Sequence, residues 1–188
     1  MPLQKSKRYT IDDIYRLPEG ERAELIDGQL YYMAPPSTTH QRILNYLCTE
    51  INLYIRNKGG VCEVFPAPFS VFVDQDDEKY LEPDISVICD KSKLDEKGCH
   101  GAPDWIIEIV SPSSKRMDYY TKLSLYRAAG VREYWIVDPS RESVTVYFME
   151  EDAAPVIYPF SDKIGANIYK ELEIKLGEIK RGTETKEG

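Results

Sequence analysis

Between Glu82 and Lys122 the chain places ionisable residues where apolar ones would be expected. Glu82-Pro83-Asp84 heads the apolar segment Ile85–Cys89, Glu108 interrupts the run Trp105-Ile106-Ile107-Glu108-Ile109-Val110, and Lys122 follows on the next segment. A carboxylate taken out of water must be paired, hydrogen-bonded or bound to a metal. Two acids in successive strands, with a lysine shortly after, suggest a divalent-cation site suited to phosphate chemistry. A hard cation such as Mg2+ takes one or two carboxylates and leaves its other positions to water and phosphate oxygens. It lowers the pKa of an attacking water and offsets charge growing on the reacting phosphate.

Pro83 holds Glu82 extended and lacks a ladder donor, so this tripeptide marks a strand entry or edge from which Asp84 can point toward Glu108. Strand alternation aims Glu82 away from Asp84. For Lys122, with Asp118 one turn earlier on the same helix face, two readings stand side by side: an ammonium at the scissile phosphate, or an ordinary surface pair worth about 0.3–0.5 kcal/mol. Glu24, before a turn, and His40, near a helix start, could serve as accessory ligand or base, but structural roles are favoured for both. Tyr119, Leu123 and Tyr126 form an apolar stripe, and they are assigned to the core together with Trp105 and Trp135.

The elements that must position these groups follow from periodicity and punctuation. Thr10 can cap a short helix that stops before Pro18, and Asp27-Gly28 between two strand-like runs predicts a tight hairpin. Apolar residues at 43, 44, 47, 51, 54 and 55 predict an amphipathic helix over Thr38–Asn57, ending at Gly59-Gly60. Strands are predicted at Val61–Phe65, Phe69–Val73, Ile85–Cys89 and Trp105–Val110. A helix over Lys115–Ala129 closed by Gly130, a buried strand Tyr134–Asp138 and an outer strand Val144–Phe148 follow. The order helix, three strands, helix, strand describes an α/β fold with a central mixed sheet flanked by helices, which the hairpin near residue 27 and the strand near 146 would extend.

At 188 residues and 42% hydrophobic content, the chain has the size of a single domain over 1–177, with a charged tail, 178–188, read as disordered. No apolar run reaches the ~20 residues of a membrane span, and 1–10 is too polar for a signal peptide, so a cytoplasmic protein is expected. Cys48, Cys62, Cys89 and Cys99 show no C-x-x-C spacing and are expected to be reduced thiols. The net charge of −8 opposes indiscriminate attraction to DNA. Part of that acidity can lie in a metal site, where bound cations lower the local negative potential, and part in an exposed turn at Asp74-Gln75-Asp76-Asp77-Glu78.

Several segments together resemble one family. They are Glu-Leu-Ile-Asp-Gly at 24–28, Pro-Pro-Ser-x-x-His at 35–40, Phe-Pro-Ala-Pro-Phe at 65–69, Glu-Pro-Asp at 82–84, Gly-Ala-Pro-Asp at 101–104, Glu-Ile-Val-Ser-Pro-Ser-Ser at 108–114, Asp-x-x-x-Lys-x-x-x-Tyr at 118–126 and Gly-Val-x-Glu-Tyr-Trp-Ile-Val-Asp-Pro at 130–139. In this order they resemble the bacterial Uma-type (Uma two) restriction endonucleases of the PD-(D/E)XK nuclease superfamily. The resemblance implies a restriction-endonuclease-like αβββαβ core and Mg2+-dependent phosphodiester hydrolysis, with Mn2+ as a possible substitute. It assigns Asp84 and Glu108 as the motif acids and metal ligands, with the backbone carbonyl of Ile109 as a further ligand. The superfamily lysine usually lies two residues after the second acid, where this chain has Val110, so the resemblance implies that Lys122 takes its place from the helix.

The leading expectation is therefore a Mg2+-dependent DNA endonuclease. A catalytically inactive, nuclease-derived binding or regulatory module is the alternative, favoured by the net acidity, and a small-phosphoester hydrolase is a third reading. A homodimer is compatible with cutting both strands of a duplex.

Overall fold

The computed structural model of the chain describes residues 7–73, 78–151 and 153–182. Helix α1 (Ile11–Tyr15) starts at a capping box in which the Thr10 amide donates to Asp13 Oδ2 at 2.9 Å. Strands β1 (Ala23–Ile26) and β2 (Gln29–Tyr32) form the predicted hairpin, and Asp27 and Gly28 both take positive φ (49° and 75°), as a tight two-residue turn demands. Helix α2 (Thr38–Asn57) has the predicted bounds; Ser37 Oγ caps it by accepting from the His40 amide, and Ile43, Leu44, Leu47, Ile51 and Ile55 are its buried stripe.

After α2 come β3 (Glu63–Pro66), β4 (Val71–Phe72), β5 (Ile85–Ile88), β6 (Leu94–Asp95), β7 (Gly98–His100) and β8 (Trp105–Ile109). A π-helical turn, Met117–Lys122, runs into α3 (Leu123–Ala129), which Gly130 ends at φ 91°. Strands β9 (Glu133–Asp138), β10 (Ser143–Phe148), β11 (Val156–Pro159), β12 (Ile164–Gly165) and β13 (Glu173–Ile174) complete the described chain, followed by a 3-10 turn at Leu176–Gly182. That turn lies at the start of the segment expected to be a disordered tail, of which 183–188 fall outside the described residues, as do 74–77 of the predicted acidic turn.

The central sheet has the order β11-β10-β9-β8-β5-β3, with β8 and β9 parallel and the other neighbours antiparallel. Alternation divides β8 between two cores: Trp105, Ile107 and Ile109 pack with the α2 stripe, Ile106 and Val110 with Tyr126 of α3. Cover on both faces explains why β5, β8 and β9 read as nearly continuous apolar runs.

Three expectations are corrected. The β1-β2 hairpin does not extend the central sheet; Leu25 bridges to Tyr80, and Leu81 bridges to Val71 of β4, so the hairpin joins the smaller β4-β7-β6 layer. Strand β10 is not outermost, because β11 pairs along its far side. Cys62 and Cys89, expected to be reduced thiols, are joined in a disulfide, since the register that pairs Glu63 with Ile88 sets these two opposite each other, whereas Cys48 and Cys99 are free.

Candidate active site

The β5/β8 register pairs Ile85 with Ile107, so one further step along both strands sets Asp84 opposite Glu108. Directly opposed residues have Cβ atoms about 4.5–5.5 Å apart, and the Asp84 amide lies 3.5 Å from Glu108 Oε2. Alternation turns Glu108 to the α3 side of the sheet. There the helix brings two residues to the same oxygen: Lys122 Nζ donates to Glu108 Oε1 at 2.9 Å and Tyr126 Oη donates to it at 2.8 Å. Lys122 and Tyr126 are four apart, on one helix face.

Lys122 Nζ also lies 2.8 Å from Glu24 Oε1 and 3.7 Å from Asp118 Oδ1. Only 4% of Lys122 is exposed, and Glu24, Glu108 and Asp118 are equally buried, so the surface-pair reading of Asp118 and Lys122 is wrong. Asp118 and Lys122 sit within the π-helical turn, a geometry frequent at functional sites, and Tyr134 Oη takes the Asp118 carbonyl at 3.1 Å. Glu24 is placed by β1 and by the Glu82 amide, which donates to Glu24 Oε1 at 3.1 Å.

Asp84 is held from the other direction. The Ile109 amide donates to its Oδ2 at 2.7 Å, and His40 Nε2 donates to the same oxygen at 3.1 Å. His40 takes the expected place at the start of α2, its amide in the helix cap, and its ring also reaches Asp84. The Ile109 N–H is thus committed to Asp84, which leaves its carbonyl as the further ligand that the resemblance implies. Glu82 points elsewhere, as alternation requires, accepting from Arg22 and from Tyr80 Oη (2.7 Å). Tyr126 is a core residue, as expected, with its ring buried against the sheet, and its hydroxyl also meets Glu108; its spacing from Lys122 is the signal for that second contact.

Burial drives the Glu108 carboxyl well above the usual carboxylate range, with Asp118, Asp84 and Glu24 reinforcing the shift and Lys122 opposing it. Burial likewise raises Asp118, against the pull of Lys122. For Lys122, burial pulls the pKa down, but Glu108, Glu24 and Asp118 outweigh it and hold the ammonium well above its ordinary value. The Tyr126 hydroxyl is pushed well up by burial and then by Glu108, so it stays a donor. The Cys48 thiol is pushed up to about 11 by burial and the Asp84 charge, which makes it a poor nucleophile.

Three carboxyl groups thus share one ammonium, with a fourth on the adjacent strand, and a bound cation would favour their ionised forms. Among the described residues no group of three or more His, Cys, Asp or Glu side chains is placed to hold a metal ion. The donor chemistry nevertheless fits Mg2+, which needs only one or two carboxylates: Asp84 Oδ1 accepts no hydrogen bond from the described residues, and Glu108 Oε2 accepts only the long one from the Asp84 amide.

Residues 11–175 match the family model Uma2, described as "Putative restriction endonuclease". The chain is 26% identical over 151 residues to the uncharacterized protein slr1290 of Synechocystis sp., spanning 77% of this chain and 76% of that one. It superposes with a TM-score of 0.73 and 22% identity on a crystal structure of "a putative nuclease belonging to DUF820" from Anabaena variabilis, covering 90% of this chain and 96% of that one. The expected mixed α/β fold of restriction-endonuclease type is therefore present, its αβββαβ core being α2, β3, β5, β8, α3 and β9. Among the described residues, no helix is long and apolar enough to cross a membrane.

Proposed function

We propose that this chain, which belongs to the Uma2 family, is a Mg2+-dependent endonuclease that hydrolyses DNA phosphodiester bonds, with Mn2+ as an alternative ion. The observation that supports the reading is the opposition of Asp84 and Glu108 across β5 and β8, each with one oxygen anchored, Asp84 Oδ1 having no hydrogen bond from the described residues and Glu108 Oε2 only the long one from the Asp84 amide. Asp84 and Glu108 would hold the cation. When bound, it supplies a water of lowered pKa and neutralises charge on the phosphate.

The side chains around the two ligands have separate tasks. Lys122 keeps its proton inside the carboxylate cluster, holds Glu108 by one oxygen and provides the positive charge nearest to the ligand pair. Tyr126 shares that oxygen, and Glu24 and Asp118 hold the ammonium in place. The apolar residues of β8 and β9 keep water from the anchored side of Glu108.

Conversion of supercoiled plasmid to nicked and linear forms in Mg2+ or Mn2+ tests the reading. Asp84→Asn and Glu108→Gln are expected to lower the rate at least about 100-fold, as removal of a group that stabilises the transition state does. Cleavage by either variant at the parental rate refutes it. A second reading, a binding module without catalysis, is favoured by the net charge of −8 and predicts neither cleavage nor heat on Mn2+ titration. A two-fold dimer would place two such sites on one duplex, and sizing of the chain with and without DNA examines that point.

A further inference from the structure

The histidine on α2 has no role in the three-residue catalytic set, yet its ring is placed as a ligand support would be. His40 is the third residue of α2, and its amide is already committed to the helix cap, donating to Ser37 Oγ at 3.2 Å. Its ring crosses 44 positions of sequence to reach Asp84, meeting Oδ2 at 3.1 Å. A carboxylate oxygen only accepts, so Nε2 is the nitrogen that donates to Asp84. The other ring nitrogen, Nδ1, is buried and has no hydrogen-bond partner among the described residues. A histidine retained to fill space has its buried nitrogens satisfied; this one satisfies only the nitrogen that touches the acid. Ile109 N–H and His40 Nε2 converge on one oxygen of Asp84, which opposes rotation of the carboxylate about its last bond and leaves Oδ1 without a hydrogen bond from the described residues.

We propose that His40 is a positioning residue that orients Asp84 for divalent-cation binding, acting through Nε2. The inference rests on the metal site proposed above. Support of this kind changes metal affinity by about 10- to 100-fold.

Mn2+ titration calorimetry on the full chain separates the two nitrogens. The amide nitrogen of glutamine reaches the place of Nε2, whereas that of asparagine reaches only the place of Nδ1. His40→Gln is expected to bind Mn2+ within about 3-fold of the parent and His40→Asn at least about 10-fold more weakly, with equal unfolding midpoints for both variants in the absence of metal. Equal affinity of His40→Asn and the parent overturns the positioning role. Equal weakening in both variants overturns it too, since the ring's packing would then be the cause. If the parent itself binds no Mn2+, or binds it as tightly as Asp84→Asn, the metal site fails and this inference with it; a failure confined to the His40 pair leaves the metal site standing.

Discussion

Replacing Lys122 by methionine removes one charge and little else, because the methionine stem can follow much of the same buried path. In the structure the ammonium lies 2.8 Å from Glu24, 2.9 Å from Glu108 and 3.7 Å from Asp118, at 4% exposure. An exposed ion pair would be worth about 0.2–1 kcal/mol. Removing the Lys122 ammonium from a buried cluster leaves uncompensated carboxylates and is expected to cost about 3–5 kcal/mol near pH 8. The deficit has a direction with pH. Glu108 and Asp118 already bind protons more tightly in the folded state than in the unfolded one, and without Lys122 to oppose burial they do so more strongly. The folded variant then holds protons that its unfolded chain has released, and each such proton lowers stability by about 1.4 kcal/mol per unit rise in pH. Two or three units of acidification, to about pH 5, therefore return most of the loss. Urea unfolding followed by tryptophan fluorescence reads this directly, since Trp105 and Trp135 are fully buried. A loss below about 1 kcal/mol near pH 8, or one that does not change with pH, would refute the buried-cluster account.

The metal-free parent should show a milder form of the same slope: above the ordinary carboxylate range its stability falls as pH rises, because folded Glu108 and Asp118 keep protons that the unfolded chain gives up. Saturating Mn2+ should flatten that slope, and urea midpoints across about pH 5 to 8 check both statements. Tyr126→Phe removes a 2.8 Å hydrogen bond to Glu108 and is expected to cost about 0.5–1.5 kcal/mol in unfolding free energy at neutral pH. Gly98→Ala would set its Cβ 2.2 Å from the Ser70 carbonyl at φ 146°, so roughly 2–4 kcal/mol of overpacking and strain should appear as a lower urea midpoint. Alkylation in denaturant should label two cysteines, Cys48 and Cys99, without reductant and all four after reduction, as mass spectrometry would record.

Local pattern sufficed where an element's own side chains decide its state. Helix α2 has the bounds that its apolar spacing and the Gly59-Gly60 stop imply, and the Asp27-Gly28 turn follows from backbone freedom alone. Strands β5, β8 and β9 were legible because a sheet covered on both faces requires unbroken apolar runs. The short strands β6, β7, β12 and β13 were not, since two or three residues carry no period and are held by their partners. The disulfide escaped for a related reason: nothing in the spacing of Cys62 and Cys89 distinguishes them until β3 and β5 align.

The site divides along the same line. Asp84, Glu108 and Lys122 stood out in the sequence because a charge within or beside an apolar strand is costly and has to be compensated, a fact of composition and local order. Which oxygen each acid keeps open was decided only by register and packing. Glu24 and His40 come from elements far away in the chain, and Tyr126 resembles any core tyrosine until its hydroxyl meets Glu108. Sequence determines which groups must find partners, because the cost of burying a charge is a property of the group; the partners belong to the folded chain, because only the docking of α2, β1 and α3 against the sheet brings them within hydrogen-bond reach.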